Sequence, residues 1–329
     1  MNIVILGSGS WGTALAQVLA DNHQDVTIWG KNEQEVADLQ LHRNTRYFPD
    51  QLIHPAIKAT GDLRVVDQAE ILLIAVPTSA VEEICRQAAA LLHHPVLVVN
   101  VAKGFHPVTH ERMSVVIRKA IPAELLEEVV SLIGPSHAEE VIQRLLTSVN
   151  AVCENEDAAR KIQELFSNEV FRVYRSTDVI GAETGVAIKN IMAIASGILS
   201  GIGEGDNARA ALMTRGLAEM SRYGIAQGGR AETYLGLSGV GDLIVTCTSR
   251  HSRNFQAGFQ IGSHDSAEIF WKTNTRTVEG IRAAKVIYEE SRIKNISMPI
   301  TEQVYRVLYE GEKPSRAIRI LMSRELKSE

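Results

Sequence analysis

The stretch NIVILGSGSWGTALA, residues 2–16, decides the fold. Its first part, NIVIL (2–6), is a short β-branched run that ends at Gly7, and a helical pattern begins at about Trp11. Between the two, Gly7, Gly9 and Gly12 take the spacing G-x-G-x-x-G. Gly7 permits a tight turn, Gly9 lets the backbone approach a pyrophosphate, and Gly12 lets helix and strand pack closely, with the anion on the helix amino terminus. A glycine-rich turn can form without a ligand, but its place at the first strand-to-helix junction favours dinucleotide binding.

Strands and helices continue to alternate outward from this point. DVTIW (25–29), EILLIAV (70–76) and PVLVVNV (95–101) each lead into a helical pattern, and EVVSLIG (128–134), SVNAVCE (148–154) and VFRVYRS (170–176) read as further strands. This alternation implies a mostly parallel, doubly wound sheet of the Rossmann type, covered on both faces. After about Asp178 strand-like runs nearly vanish, and long helical patterns such as 207–227 and 277–293 follow, with Pro299 and Pro314 where helices can begin. The sequence therefore predicts a dinucleotide-binding domain over 1–180 and an all-α domain over 181–329.

Composition is that of an ordinary globular protein: 45% hydrophobic, 22% charged, net charge −5. This argues against a nucleic-acid-binding surface, while leaving room for a local basic site that takes a small phosphate. Cys85, Cys153 and Cys247 are scattered, the pattern of reduced cysteines in a cytoplasmic protein. The amino terminus lacks the basic region and apolar length of a signal peptide. GVAIKNIMAIASGILSG (185–201) is short for a membrane span and carries Lys189 and Asn190, so no membrane insertion is expected. The ten histidines show no H-E-x-x-H, and no metal is expected; G-x-S-x-G is also absent.

Several positions point to chemistry. The second strand ends in Gly30 and Lys31 where an NAD site usually has Asp or Glu, so Lys31 favours NADP(H) and leaves NAD(H) open. Lys103 lies just past the carboxyl end of a strand, where open parallel sheets bind ligands. IGPSHAEEV (133–141) places Gly134 after a strand, with Pro135 and Ser136 opening a helix. The segment around Lys189 is apolar on all sides, so the lysine either reaches solvent or works inside the protein. Burial disfavours its charged form, which suits a group that exchanges a proton at a carbonyl oxygen, and Asn190 beside it can hold a hydroxyl. Asp242 follows a glycine-rich turn, and Ser252, Arg253 and Asn254 precede a helix as a small anion site, where the arginine can offer two parallel hydrogen bonds.

ILGSGSWGTALA, VAKG (101–104), GPSHAEEV (134–141), AIKNIMAIASGI (187–198), NARAALMTRGLAEM (207–220), GVGDLIVTCTSRHSRN (239–254) and TVEG (277–280) together resemble bacterial NAD(P)-dependent glycerol-3-phosphate dehydrogenase, in order along almost the whole chain. The resemblance implies interconversion of dihydroxyacetone phosphate and sn-glycerol 3-phosphate for phospholipid synthesis. It also implies a homodimer whose carboxyl-terminal domain is similar to that of 6-phosphogluconate dehydrogenase. By the same resemblance Lys189 is the proton donor and acceptor, Lys103 meets substrate and cofactor, and Asp242 holds a substrate hydroxyl. Ser252, Arg253 and Asn254 then bind the substrate phosphate, and Gly134 and Ser136 complete the pocket. Ser10, Trp11, Lys31, Ala138, Arg253 and Glu279 line the cofactor. The substrate is expected in a cleft between the two domains. Two rivals stand beside this reading: a β-hydroxyacid or ketopantoate reductase on the same fold, and a non-catalytic NAD(P)H sensor.

Overall fold

The computed structural model describes residues 1–326. Contacts divide the chain into two compact units, Met1–Val179 and Ile180–Glu329. In chain order the first unit comprises β1 (Asn2–Leu6), α1 (Ser10–Asp21), β2 (Asp25–Trp29), α2 (Glu33–Gln40), β3 (Arg43–Asn44), β4 (Phe48–Leu52), β5 (Lys58–Thr60), β6 (Ile71–Ile74), α3 (Thr78–Ala89), β7 (Val96–Asn100), α4 (Met113–Ala120), β8 (Leu126–Ile133), α5 (Ala138–Val141), β9 (Thr147–Val152), α6 (Glu156–Phe166) and β10 (Phe171–Ser176).

Eight of these strands form one sheet in the order β10-β9-β8-β7-β6-β1-β2-β5. All its pairings are parallel except β8 with β9. Along β1 the apolar side chains alternate between two cores. Ile3 and Ile5 join Leu15, Leu19 and Ile28 on one face, while Val4 and Leu6 join Leu72, Val81 and Ile117 on the other. A strand buried on both faces reads as a continuous apolar run, which is why NIVIL looks as it does. The sheet is thus doubly wound, the Rossmann-type arrangement expected.

Two local readings need correction. The strands β3, β4 and β5 lie in a segment read without strands. They are two to five residues long, FPDQL contains a proline, and their burial does not alternate, so no periodic signal marks them. The helix expected to open at Pro135 and Ser136 begins instead at Ala138 and runs only to Val141. Ser136 Oγ donates to the Gly134 carbonyl at 3.0 Å, and His137 is extended, so the chain completes a turn before any helix starts.

The second unit is helical: α7 (Val179–Ile202), α8 (Asp206–Ala226), α9 (Asp242–Thr248), α10 (Arg253–Ser263), α11 (Glu268–Thr273), α12 (Glu279–Ile293), α13 (Pro299–Tyr309) and α14 (Pro314–Met322). Pro299 and Pro314 each take the first helical position, where the missing N–H would have had no intrahelical partner. Among the described residues α7 alone is long and apolar enough to cross a membrane, yet 83% of its most apolar window is packed inside the protein. Its apolar side chains run around the whole helix because neighbours surround it. Gly197 and Gly201 of α7 face Gly258 and Gly262 of α10 so closely that a Cβ on Gly258 would lie 2.0 Å from the Ile194 carbonyl oxygen. Two backbones meet there, and this contact sets α10 against the carboxyl-terminal part of α7.

Candidate active site

Lys189 sits in the third turn of α7, and its side chain is only 3% exposed, so the reading in which it reaches solvent is excluded. Its Nζ forms an ion pair with Asp242, whose side chain is 1% exposed, and donates to Thr246 Oγ1 at 3.0 Å. The Thr246 hydroxyl in turn donates to the Asp242 carbonyl oxygen at 2.6 Å. Asp242 and Thr246 stand one helical turn apart on α9, whose start continues a π-helical turn, Leu237–Gly241. Burial disfavours the ammonium, and the adjacent carboxylate favours it. Sequence reasoning counted only the first effect. It also missed Thr246, although Asp-x-x-x-Thr on a short helix was a readable sign that both side chains share a face.

Asn190 is buried beside Lys189 on α7, and its Oδ1 accepts from Asn254 Nδ2 at 3.0 Å. Asn254 Oδ1 accepts from the Gly280 N–H at 2.9 Å. These two bonds tie α7, the first turn of α10 and the first turn of α12 together, with Glu279 as the first residue of α12. The absence of a side chain at Gly280 is required, since a Cβ there would lie 2.5 Å from the Asn190 carbonyl oxygen. Ser252 is the N-cap of α10: its hydroxyl accepts from the Phe255 N–H at 3.2 Å. Arg253, the first helical residue, is exposed. The structure therefore gathers Lys189, Asn190, Asp242, Ser252, Arg253, Asn254 and Glu279 within the second unit, and nothing in the sequence announced that the two asparagines would bond to each other.

The remaining predicted residues belong to the first unit. Gly7 has φ +131°, in the region that favours glycine, and a Cβ there would lie 2.7 Å from the Ala75 carbonyl oxygen. A Cβ on Gly12 would meet the Gly7 carbonyl oxygen at 2.2 Å, so Gly12 lets the first helical turn pass over the loop itself. A Cβ on Gly9 would meet nothing within 4 Å, which leaves the loop open to a ligand at that point. Gly9 caps α1 without a side chain, and the N–H groups of Ser10, Trp11 and Gly12 have no intrahelical acceptors. The Trp11 indole Nε1 is buried without an acceptor, an arrangement that a phosphate or amide-bearing ligand satisfies. On these observations the loop fits a dinucleotide.

Across the carboxyl ends of the strands, Lys103 Nζ lies 6.0 Å from the centre of the Trp11 ring and donates to the Gly134 carbonyl at 3.4 Å. Asn100 shapes the turn before Lys103 by accepting from the Ala102 N–H at 3.0 Å. Gly134 admits no side chain, because a Cβ would lie 2.8 Å from Val149 Cα. Ala138 is buried at the start of α5, and Lys31 is exposed two residues beyond β2.

Comparison with known proteins identifies the family. The N-terminal family described as NAD-dependent glycerol-3-phosphate dehydrogenase matches residues 2–159, and its C-terminal counterpart matches residues 178–319. A relative from Streptococcus uberis named glycerol-3-phosphate dehydrogenase [NAD(P)+] is 47% identical over 99% of this chain and 97% of its own length. A relative of the same name from Limosilactobacillus reuteri is 46% identical over 99% of this chain and 98% of its own. The crystal structure of glycerol-3-phosphate dehydrogenase from Coxiella burnetii superposes with a TM-score of 0.91 at 35% identity, covering 98% of this chain and 99% of that one. With both halves of the family pattern matched in order, and relatives alike along nearly the full length, the chain belongs to the NAD-dependent glycerol-3-phosphate dehydrogenase family.

Proposed function

We propose that this protein interconverts dihydroxyacetone phosphate and sn-glycerol 3-phosphate with NAD(P)H, with Lys189 as the proton donor and acceptor. The observation that carries the assignment of Lys189 is its placement: an ammonium sealed from solvent between the Asp242 carboxylate and the Thr246 hydroxyl. When bound, the nicotinamide cofactor supplies a hydride to the ketone or accepts one from the alcohol. Lys189 gives its proton to the developing alkoxide during reduction and takes it back during oxidation. Asp242 and Thr246 together fix the direction of Nζ, so the donor is aimed before substrate arrives. Asp242 also accepts from a substrate hydroxyl.

Arg253 at the start of α10 takes the substrate phosphate with its guanidinium fork, assisted by Ser252 and Asn254. Asn190 keeps its NH2 group to donate to a substrate oxygen while its Oδ1 holds Asn254. Lys103, Gly134 and Ser136 contribute the remaining polar contacts to substrate, with Lys103 also meeting the cofactor. The glycine-rich loop with Gly7, Gly9, Ser10, Trp11 and Gly12 holds the pyrophosphate, and Lys31, Ala138, Arg253 and Glu279 complete the cofactor's surroundings. Lys31 tilts the balance toward NADP(H).

The protein acts as a homodimer in the cytoplasm and supplies glycerol 3-phosphate for phospholipid synthesis. All three cysteines are free and buried, and burial pushes the thiols of Cys85 and Cys247 up to about 12 and that of Cys153 up to about 11, so none is poised to react. The test is a substrate panel read by nicotinamide absorbance. Oxidation of NADPH or NADH is expected with dihydroxyacetone phosphate and not with unphosphorylated dihydroxyacetone. Oxidation with a 2-keto acid instead would hand the site to the rival reductases, and tight NADPH binding without any turnover would make the protein a sensor.

A further inference from the structure

The end of β2 is where a dinucleotide fold tells one cofactor from the other. In this chain that position is Gly30, and a side chain there would have to displace Ser8 and Val36: a Cβ would lie 2.9 Å from Ser8 Oγ and 3.0 Å from Val36 Cγ2. A carboxylate nevertheless reaches the place from α2. Glu35 Oε2 accepts from Ser8 Oγ at 2.6 Å, and Ser8 lies inside the glycine-rich loop. The other oxygen, Oε1, is paired at 2.5 Å with Arg46 Nη1 from the turn between β3 and β4. Glu35 is 13% exposed and Arg46 64%, so the carboxylate is enclosed while the guanidinium faces outward. The turn itself is anchored to the loop. Asn44 Nδ2 donates to the Ser8 carbonyl at 3.1 Å and to Thr13 Oγ1 at 2.8 Å, which fixes where Arg46 starts.

We propose that Arg46, held against the glycine-rich loop by Glu35, recognises the 2′-phosphate of NADP(H), and that the Arg46–Glu35 pair sets the balance between NADP(H) and NAD(H). A bare carboxylate here would accept from the ribose hydroxyls and repel a 2′-phosphate. Glu35 is already neutralised by Arg46, so the repulsion is cancelled, and the free edge of the guanidinium adds donors of the geometry that phosphate prefers. A carboxylate has about four acceptor positions. Glu35 therefore retains capacity for a ribose hydroxyl, and NAD(H) is still accommodated. Lys31, exposed beside β2, adds a second cation. The inference rests on the first unit binding a dinucleotide, and not on the reaction proposed above.

The test is equilibrium titration of the full chain with 2′,5′-ADP and 5′-AMP, supported by NADPH and NADH titrations read by fluorescence. In Arg46→Gln the affinity for 2′,5′-ADP is expected to fall about tenfold or more relative to that for 5′-AMP, the effect of losing one hydrogen bond between charged groups. Arg46→Lys keeps the charge without the fork and should recover part of that ratio. Glu35→Gln removes the opposing charge and should move the ratio toward 2′,5′-ADP. Equal weakening of both nucleotides in Arg46→Gln, or no change in either, overturns the assignment, as does a Glu35→Gln ratio that moves toward 5′-AMP. A wild-type chain that binds neither nucleotide overturns this inference and the cofactor site together. A chain that binds both in the expected ratio without oxidising NADPH in the presence of dihydroxyacetone phosphate overturns the reaction alone.

Discussion

At the scale of single residues the Lys189–Asp242 pair is the most consequential feature. Two charges buried together are held by each other, and removing one leaves the other without compensation. Replacing Lys189 by Met should lower the turnover rate by about 10²–10⁴-fold if the lysine is the acid, since that is what positioned proton transfer contributes. It should also destabilise the fold by about 3–5 kcal/mol, because Asp242 stays buried without its ion-pair partner. The double variant Lys189→Met with Asp242→Asn should regain much of the stability in urea unfolding and none of the rate. A folded Lys189→Met enzyme that loses less than about tenfold would remove the lysine from the proton-transfer role. The lysine was visible as a charge in an apolar segment; its carboxylate and hydroxyl partners, more than fifty residues away, were not.

At the scale of elements, two contacts within the helical unit govern its geometry. The first is the glycine contact of α7 with α10. An Ala at Gly258 would place a methyl group 2.0 Å from a backbone oxygen, and two backbones must separate to admit it. Overpacking of this kind costs about 1–3 kcal/mol or more. Because α10 also carries Ser252, Arg253 and Asn254, Gly258→Ala should raise KM for the phosphorylated substrate together with lowering Tm, and a variant that changes neither would show that the helices are free to shift. The second contact is the cap of α13 by Glu219, a buried residue of α8. Its carboxylate accepts from the Ile300 N–H at 2.6 Å, the Thr301 N–H at 3.2 Å and Thr301 Oγ1 at 3.1 Å. Burial pushes its pKa up to about 7, against the opposing effect of those three bonds. In the unfolded chain the same group titrates near its ordinary value of about 4.3. Between the two values the folded protein binds the proton and the unfolded chain does not, so this contribution to stability is full below the unfolded value and is lost as pH rises through about 7. Urea unfolding of Glu219→Gln at several pH values should show that part of the slope gone; an unchanged slope would place the titration elsewhere. Nothing local marked this glutamate, which looks like any charged residue of an amphipathic helix.

At the scale of the whole molecule, both units bury apolar side chains, and a ligand that binds only the folded form raises stability by mass action. NADPH at about one hundred times its Kd should stabilise the protein by about 2.7 kcal/mol and raise Tm accordingly, and calorimetry that finds no shift at saturating NADPH would count against the cofactor site. The order of strands and helices, the doubly wound sheet and the glycine-rich loop were legible in the chain itself, because hydrophobic period and glycine spacing are local properties that read directly into backbone geometry. The family was legible too, since its motifs follow one another along the chain. What only the tertiary structure decided are the pairings between distant residues. It joined Lys189 to Asp242 and Thr246, Asn254 to Asn190 and Gly280, and Glu35 to Ser8 and Arg46, and it added the short strands β3, β4 and β5. The physical reason is that a side-chain hydrogen bond or ion pair acts over about 3 Å, and no periodicity in one dimension states which residues folding will bring to that distance.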